Sequence, residues 1–302
     1  MHPQNLVAPV LGLLLAPLLV GVINRTKALV AGRRGPPLVQ PYRDAWKLFR
    51  RGAVYGEVTT ALVRLGPVLN LATLIMAMLV VPFPGTGAAI SFTGDLVVLV
   101  GLFALGRFST VLAALDTGSS FEGMGASREV YFAALAEPAL LIALATLTRV
   151  THATNLAAIY GAIVIDTWSH ALPALALVGV SFLVLELVEN SRIPVDDPTT
   201  HLELTMIHEV MVLDHTGPDL GLIQYGAALK LWVIGTLLIG LAPLHGVDPW
   251  VAGVAGLSGM AVLAVVIGMI ESAMARYRMT TVPQFIVGAA TLSAVAFIVL
   301  LV

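Results

Sequence analysis

The sequence predicts an all-α integral membrane protein with eight transmembrane helices, one interfacial amphipathic helix and polar cytoplasmic loops. Three observations carry that prediction. Hydrophobic residues make up 58% of the 302 residues and charged ones only 11%, where a soluble domain carries about 25% charged residues. The mean hydropathy is +0.93, and the apolar residues fall in runs long enough to cross a bilayer, which takes roughly 20 helical residues. The charge of the intervening loops alternates.

The runs are 5–23, 62–83, 95–115, 129–148, 171–189, 220–242, 250–270 and 282–302, and together they make one transmembrane domain, 1–302. Before the first run stand only Met1, His2, Pro3, Gln4 and Asn5, with no Lys or Arg. A secretory signal needs a basic n-region, so this run reads as a retained helix. Pro9, Pro17, Pro67, Pro138 and Pro173 interrupt the runs, as membrane helices tolerate when neighbours satisfy the freed backbone groups. No internal repeat is evident.

The first long loop, 24–61, holds eight Lys or Arg residues from Arg25 to Arg51, and the other odd-numbered loops add Arg128, Arg192, Arg276 and Arg278. The loops 83–95 and 243–250 hold none, and 149–170 holds only Arg149. The positive-inside rule then puts 24–61, 116–128, 190–219 and 271–281 in the cytoplasm and both termini outside. Within the first loop, Tyr42, Trp46 and Phe49 share a helical face beside Arg43 and Lys47. That pattern suits a short helix in the interface plane, either a lipid anchor or a docking surface. In 190–219, Thr200 and Glu203 have the spacing of a capping box.

Cys is absent. This excludes disulfides and thiolate metal or iron–sulfur sites on this chain. No basic patch points to nucleic acid, and no nucleophile–base set, phosphate loop or dinucleotide fingerprint is present, so no catalytic residue is assigned. His201 and His208 stand seven apart, whereas one-helix metal sites favour three or four, so no metal site is assigned either.

Ionisable residues inside apolar spans are costly and usually mark ion or proton paths. Glu137, beside Pro138, lies inside the fourth run. Glu122, Glu129 and Glu137 share a face if their helix is continuous, which Gly123 and Gly125 make doubtful. Glu186 and Glu189 close the fifth run three residues apart, with Asp196 and Asp197 just beyond. Arg107 and Asp116 lie in and at the end of the third run, and Lys230 lies inside the sixth.

The segment Gly125-Ala126-Ser127-Arg128-Glu129, running on to Leu135-Ala136-Glu137-Pro138, resembles the membrane subunit of formate hydrogenlyase and of related group 4 energy-converting nickel–iron hydrogenases. So do Glu189-Asn190-Ser191-Arg192-Ile193-Pro194-Val195-Asp196-Asp197-Pro198 and the stretch Thr200 to Glu209. Gln40-Pro41-Tyr42-Arg43-Asp44 and Glu271 to Arg278 do so more loosely. That family is similar to subunit 1 of respiratory complex I, an eight-helix protein. The resemblance implies a subunit of an oxidoreductase complex with no redox centre of its own, in a prokaryotic inner membrane. Partners would be hydrogenase large and small subunits and iron–sulfur proteins, holding the iron–sulfur clusters and nickel–iron centre, together with antiporter-like membrane subunits.

By motif, proton-path roles fall to Glu129, Glu137, Glu189, Asp196, Asp197, Glu203 and Glu209. Glu186 and Lys230 join them on the burial argument alone. Docking roles fall to Tyr42, Arg43, Asp44, Arg192, His201, His208, Arg276 and Arg278. Two alternatives remain at this level: a quinone-site subunit of a complex I-like NADH dehydrogenase, and a stand-alone ion transporter. Whether a quinone binds is left open.

Overall fold

The computed structural model describes residues 3–196, 206–244 and 246–301. Asp197, His201 and Glu203, and with them the Thr200–Glu203 capping box, lie outside the described residues. Eight described helices are long and apolar enough to cross a membrane: α1 (Val7–Val30), α3 (Ala61–Val80), α4 (Asp95–Asp116), α5 (Ser120–Thr151), α7 (Ile165–Glu189), α8 (Gly217–Ile239), α9 (Pro249–Ala273) and α10 (Val282–Val299). Two shorter ones are α2 (Gln40–Phe49) and α6 (Leu156–Gly161). The fold is all-helical among the described residues, and the chain is a multi-pass membrane protein.

The helices depart from the apolar runs at their ends. α1 continues past 23 to Val30 and takes Lys27 into its last turn. α5 is 32 residues long, about 48 Å at 1.5 Å per residue, well beyond a hydrocarbon core of about 30 Å. It runs unbroken through Gly123 and Gly125, so Glu122 does share one helix with Glu129 and Glu137. Glycine weakens a helix interior by only about 1 kcal/mol, and packing overrides that here. α7 starts at Ile165, six residues before its apolar run, and kinks at Ala171 (φ −120°, ψ 22°), two residues before Pro173. Met206–His208 is not helical and leads into a 3-10 turn at Glu209–Val212.

α3 packs on α4, α5 and α7 on α10, and α1 on α8 and α9. α8 is the most enclosed of the eight spans. Carbonyls freed near helix ends or prolines must find other donors in a bilayer, and this fold supplies them with aromatic side chains. Tyr160 Oη donates to Leu237 O over 2.9 Å and Trp168 Nε1 to Leu241 O over 2.8 Å, closing the end of α8. Pro17 has no N–H to give Leu13 O; Tyr225 Oη donates to that oxygen over 2.5 Å instead. Tyr42 Oη donates to the next carbonyl, Leu14 O. Tyr42 thereby faces α1, while Trp46 stays 66% exposed. The two aromatics do not act as one face, because α2 rests its Tyr42–Ala45–Leu48 side on α1 and α8.

The described part of the 190–216 segment is fastened on several sides. Asp196 is buried; it pairs with Arg276 at 3.0 Å and accepts from Ile207 N and His208 N. Arg128 Nη1 donates to Met206 O, and Tyr277 N to Pro194 O. Buried Glu271 joins Lys27 at 2.7 Å to Arg192 at 3.4 Å. Asp214 N donates to Glu122 Oε1 over 2.8 Å.

Candidate proton-handling site

The centre of the site is Arg107, in the middle of α4 and 7% exposed. Its guanidinium fork reaches three carboxylates from two other helices. Nε pairs with Glu129 Oε1 at 3.2 Å, Nη1 with Glu137 Oε1, and Nη2 with both oxygens of Glu189 at 2.7 and 2.8 Å. Lys230 Nζ, from α8, lies 2.6 Å from Glu189 Oε2. A planar fork with five fixed donors is suited to bridging separate carboxylates; an ammonium is not.

The electrostatics are unbalanced. Two cations face three carboxylates, so one carboxylate has no cation of its own. Glu186, one helical turn before Glu189, is fully buried, and both its oxygens lack a hydrogen-bond partner among the described residues. Charge of one sign in excess is expensive at low dielectric, and taking up a proton is the cheapest way to remove it.

The site opens in two directions. A cavity of about 50 Å³ is lined by Arg107, Glu129, Glu189 and Lys230 together with Asn70, Thr73 and Thr110. Its Asn190, Ser191, His208 and Ala227 wall is shared with a larger cavity of about 360 Å³ between α1, α2, α8 and residues 190–192 and 208–209, which Asp44, Arg192, Glu209 and Tyr225 also line. On the other side, Glu137, 31% exposed, faces a lateral groove of about 240 Å³ between α4 and α5.

Among the described candidates, the fold therefore brings Glu129, Glu137, Glu189 and Lys230 into one cluster with Glu186 beside it. Glu209 and His208 sit at the larger cavity. Asp196 stands apart, fixing backbone. Arg192 and Arg276 turn inward to Glu271 and Asp196, Asp44 accepts from Gln40 and lines the larger cavity, and Arg43 and Arg278 are exposed. Sequence reasoning noted Arg107 without its hub role, because its partners lie 22, 30 and 82 residues away. Asn70 was missed altogether; its only signal is an amide inside an apolar run. Among the described residues no group of three or more His, Asp or Glu is placed to hold a metal ion.

Comparison with known proteins agrees with this architecture. The profile of the NADH dehydrogenase family matches residues 4–302. The chain is 31% identical over 277 residues to formate hydrogenlyase subunit 4 of Escherichia coli (strain K12), covering 89% of each chain. It is 33% identical over 229 residues to hydrogenase-4 component C of the same organism, covering 76% of this chain and 71% of that one. A chain of an archaeal respiratory membrane complex, the membrane-bound sulfane sulfur reductase, superposes with a TM-score of 0.81 at 18% identity, over 98% of both chains. With its eight spans and near full-length match, the chain belongs to the NADH dehydrogenase family, with relatives among formate hydrogenlyase and hydrogenase-4 subunits.

Proposed function

We propose that this chain is the membrane subunit of a hydrogenase-type, formate hydrogenlyase-like complex, anchoring a hydrophilic redox arm and coupling electron transfer to proton translocation. The observation that carries the reading is the Arg107 cluster with its excess carboxylate, open toward the loop side through one cavity and toward the flank at Glu137. The relatives' names support the hydrogenase context.

In this reading the redox arm docks on α2 and the 190–216 and 274–281 segments. Its large, small and iron–sulfur subunits hold the nickel–iron centre and the clusters. Antiporter-like membrane subunits lie beside the bundle, in a prokaryotic cytoplasmic membrane, with both termini outside. Asn190, Ser191 and His208 belong both to the docking segment and to the cavity wall. A shift of that segment changes the surroundings of Glu189 and Lys230, and so changes which carboxylate Arg107 holds most tightly. The carboxylate released takes a proton; re-pairing expels it. Such a change needs only a differential affinity of the docked arm for two arrangements.

The test is Glu137→Gln and Glu189→Gln in the assembled complex reconstituted in proteoliposomes. Proton translocation is expected to fall by about a hundredfold or more, the low end of what a positioned proton-transfer group contributes. Wild-type redox turnover together with wild-type translocation in both variants removes the coupling role.

A second reading, a quinone-site subunit, is favoured by one observation: the 360 Å³ cavity between α1, α2 and α8 has apolar walls from Pro17, Val20 and Ala228 and polar groups from Tyr225, His208 and Arg192. Quinone co-purifying with the complex, or inhibition by quinone-site inhibitors, separates it from the first.

A further inference from the structure

The neutral side of the central cavity is built around one side chain, Asn70 of α3. Two glycines make its slot. A Cβ at Gly106 would meet Asn70 Oδ1 at 2.8 Å and Thr73 Oγ1 at 2.6 Å, closer than real contacts allow, and a Cβ at Gly226 would sit 3.5 Å from Asn70 Nδ2. Asn70 is half-buried and lines the cavity, and its carboxamide makes no hydrogen bond to another described residue. An amide at membrane depth without a partner costs free energy, and leucine would fill an apolar slot without that cost.

The neighbouring hydroxyls are already committed as donors. Thr73 Oγ1 donates to Asn70 O over 2.8 Å, and Thr110 Oγ1 to Gly106 O over 3.1 Å. Their oxygens can accept but have no proton left to give. The Asn70 amide is thus the neutral donor on the α3–α4 wall, sharing with Glu129 and Glu189 a space of about 50 Å³, enough to hold water.

From this geometry we infer that Asn70 is a positioning residue for proton transfer: its carboxamide orients the water joining the Arg107 carboxylates to the Ser191–His208 side of the cavity. The role rests on the proton-coupling reading and adds a residue that reading does not use. A carboxamide donates to water with one end and accepts with the other, so it fixes water orientation without competing for the proton.

The test uses the whole complex in proteoliposomes and compares Asn70→Leu, Asn70→Gln and Gly226→Ala with Glu189→Gln. The inference expects Asn70→Leu to lower translocation by about tenfold or more, with a changed pH profile, and Asn70→Gln to restore most of it. Gly226→Ala, whose Cβ meets only ordinary contacts with Leu74 and Asn70, is expected to assemble and to lower translocation by intruding on the water. If Asn70→Leu translocates normally while Glu189→Gln does not, the Asn70 role is overturned and the coupling reading stands. If Glu189→Gln also translocates normally, the coupling reading falls and takes this role with it. If Asn70→Leu fails to assemble, Gly226→Ala decides: reduced translocation supports the role, and unchanged translocation overturns it.

Discussion

At the residue scale, Arg107 holds charges that have nowhere else to go. Removing one partner of a buried ionic group costs about 3–5 kcal/mol, and here one substitution strips the cation from Glu129 and Glu137 and leaves Glu189 with Lys230 alone. Arg107→Leu is therefore expected to abolish stable accumulation of the chain, while Arg107→Lys is expected to accumulate at a reduced level, because an ammonium cannot reach all three. The yield of purified complex measures both, and wild-type yield for Arg107→Leu would contradict the hub. His215 makes a second residue-scale prediction. Burial pushes its pKa below the ordinary 6.5, against smaller opposing pulls from Val63 O, Asp219 and Asp214. The unfolded chain binds that proton more readily, so the contribution of neutral His215 is present above the ordinary value and lost as pH falls below it. Thermal stability is expected to drop between about pH 7.5 and 5.5, and to drop less in His215→Gln. Equal slopes for both proteins would refute this. The carboxylates themselves were legible from sequence, since charge inside an apolar run stands out. Arg107 as their hub was not, because partners far apart in sequence are set only by how α4, α5 and α7 pack.

At the element scale, Pro17 and Tyr225 form a complementary pair 208 residues apart. Tyr225→Phe removes the donor to Leu13 O, and an unsatisfied buried carbonyl costs about 1–3 kcal/mol. Pro17→Ala restores the helical N–H, so the double variant is expected to recover most of the stability lost by Tyr225→Phe. A double-mutant cycle by thermal denaturation measures the coupling, and additivity would show that the tyrosine serves no freed carbonyl. The eight spans were legible because twenty apolar residues admit few other readings. Their ends were not. α5 outruns its apolar stretch because Glu122 is buried by accepting from Asp214 N, and hydropathy cannot register a carboxylate satisfied in this way. α6 escaped notice because six residues carry too little periodicity to read.

At the scale of the whole molecule, the bundle surrounds one charge cluster with a small cavity toward the loops and a groove toward the flank. In the proposed function that architecture makes the chain a connector, because a partner docked on the loops would touch the same wall as the carboxylates. The decisive measurement is the number of protons translocated per electron pair by the reconstituted complex carrying Glu189→Gln. The account predicts that this ratio falls well below the wild-type ratio while turnover in the presence of an uncoupler persists. A wild-type ratio with Glu189→Gln would show that the Arg107 cluster holds the fold together and carries no protons.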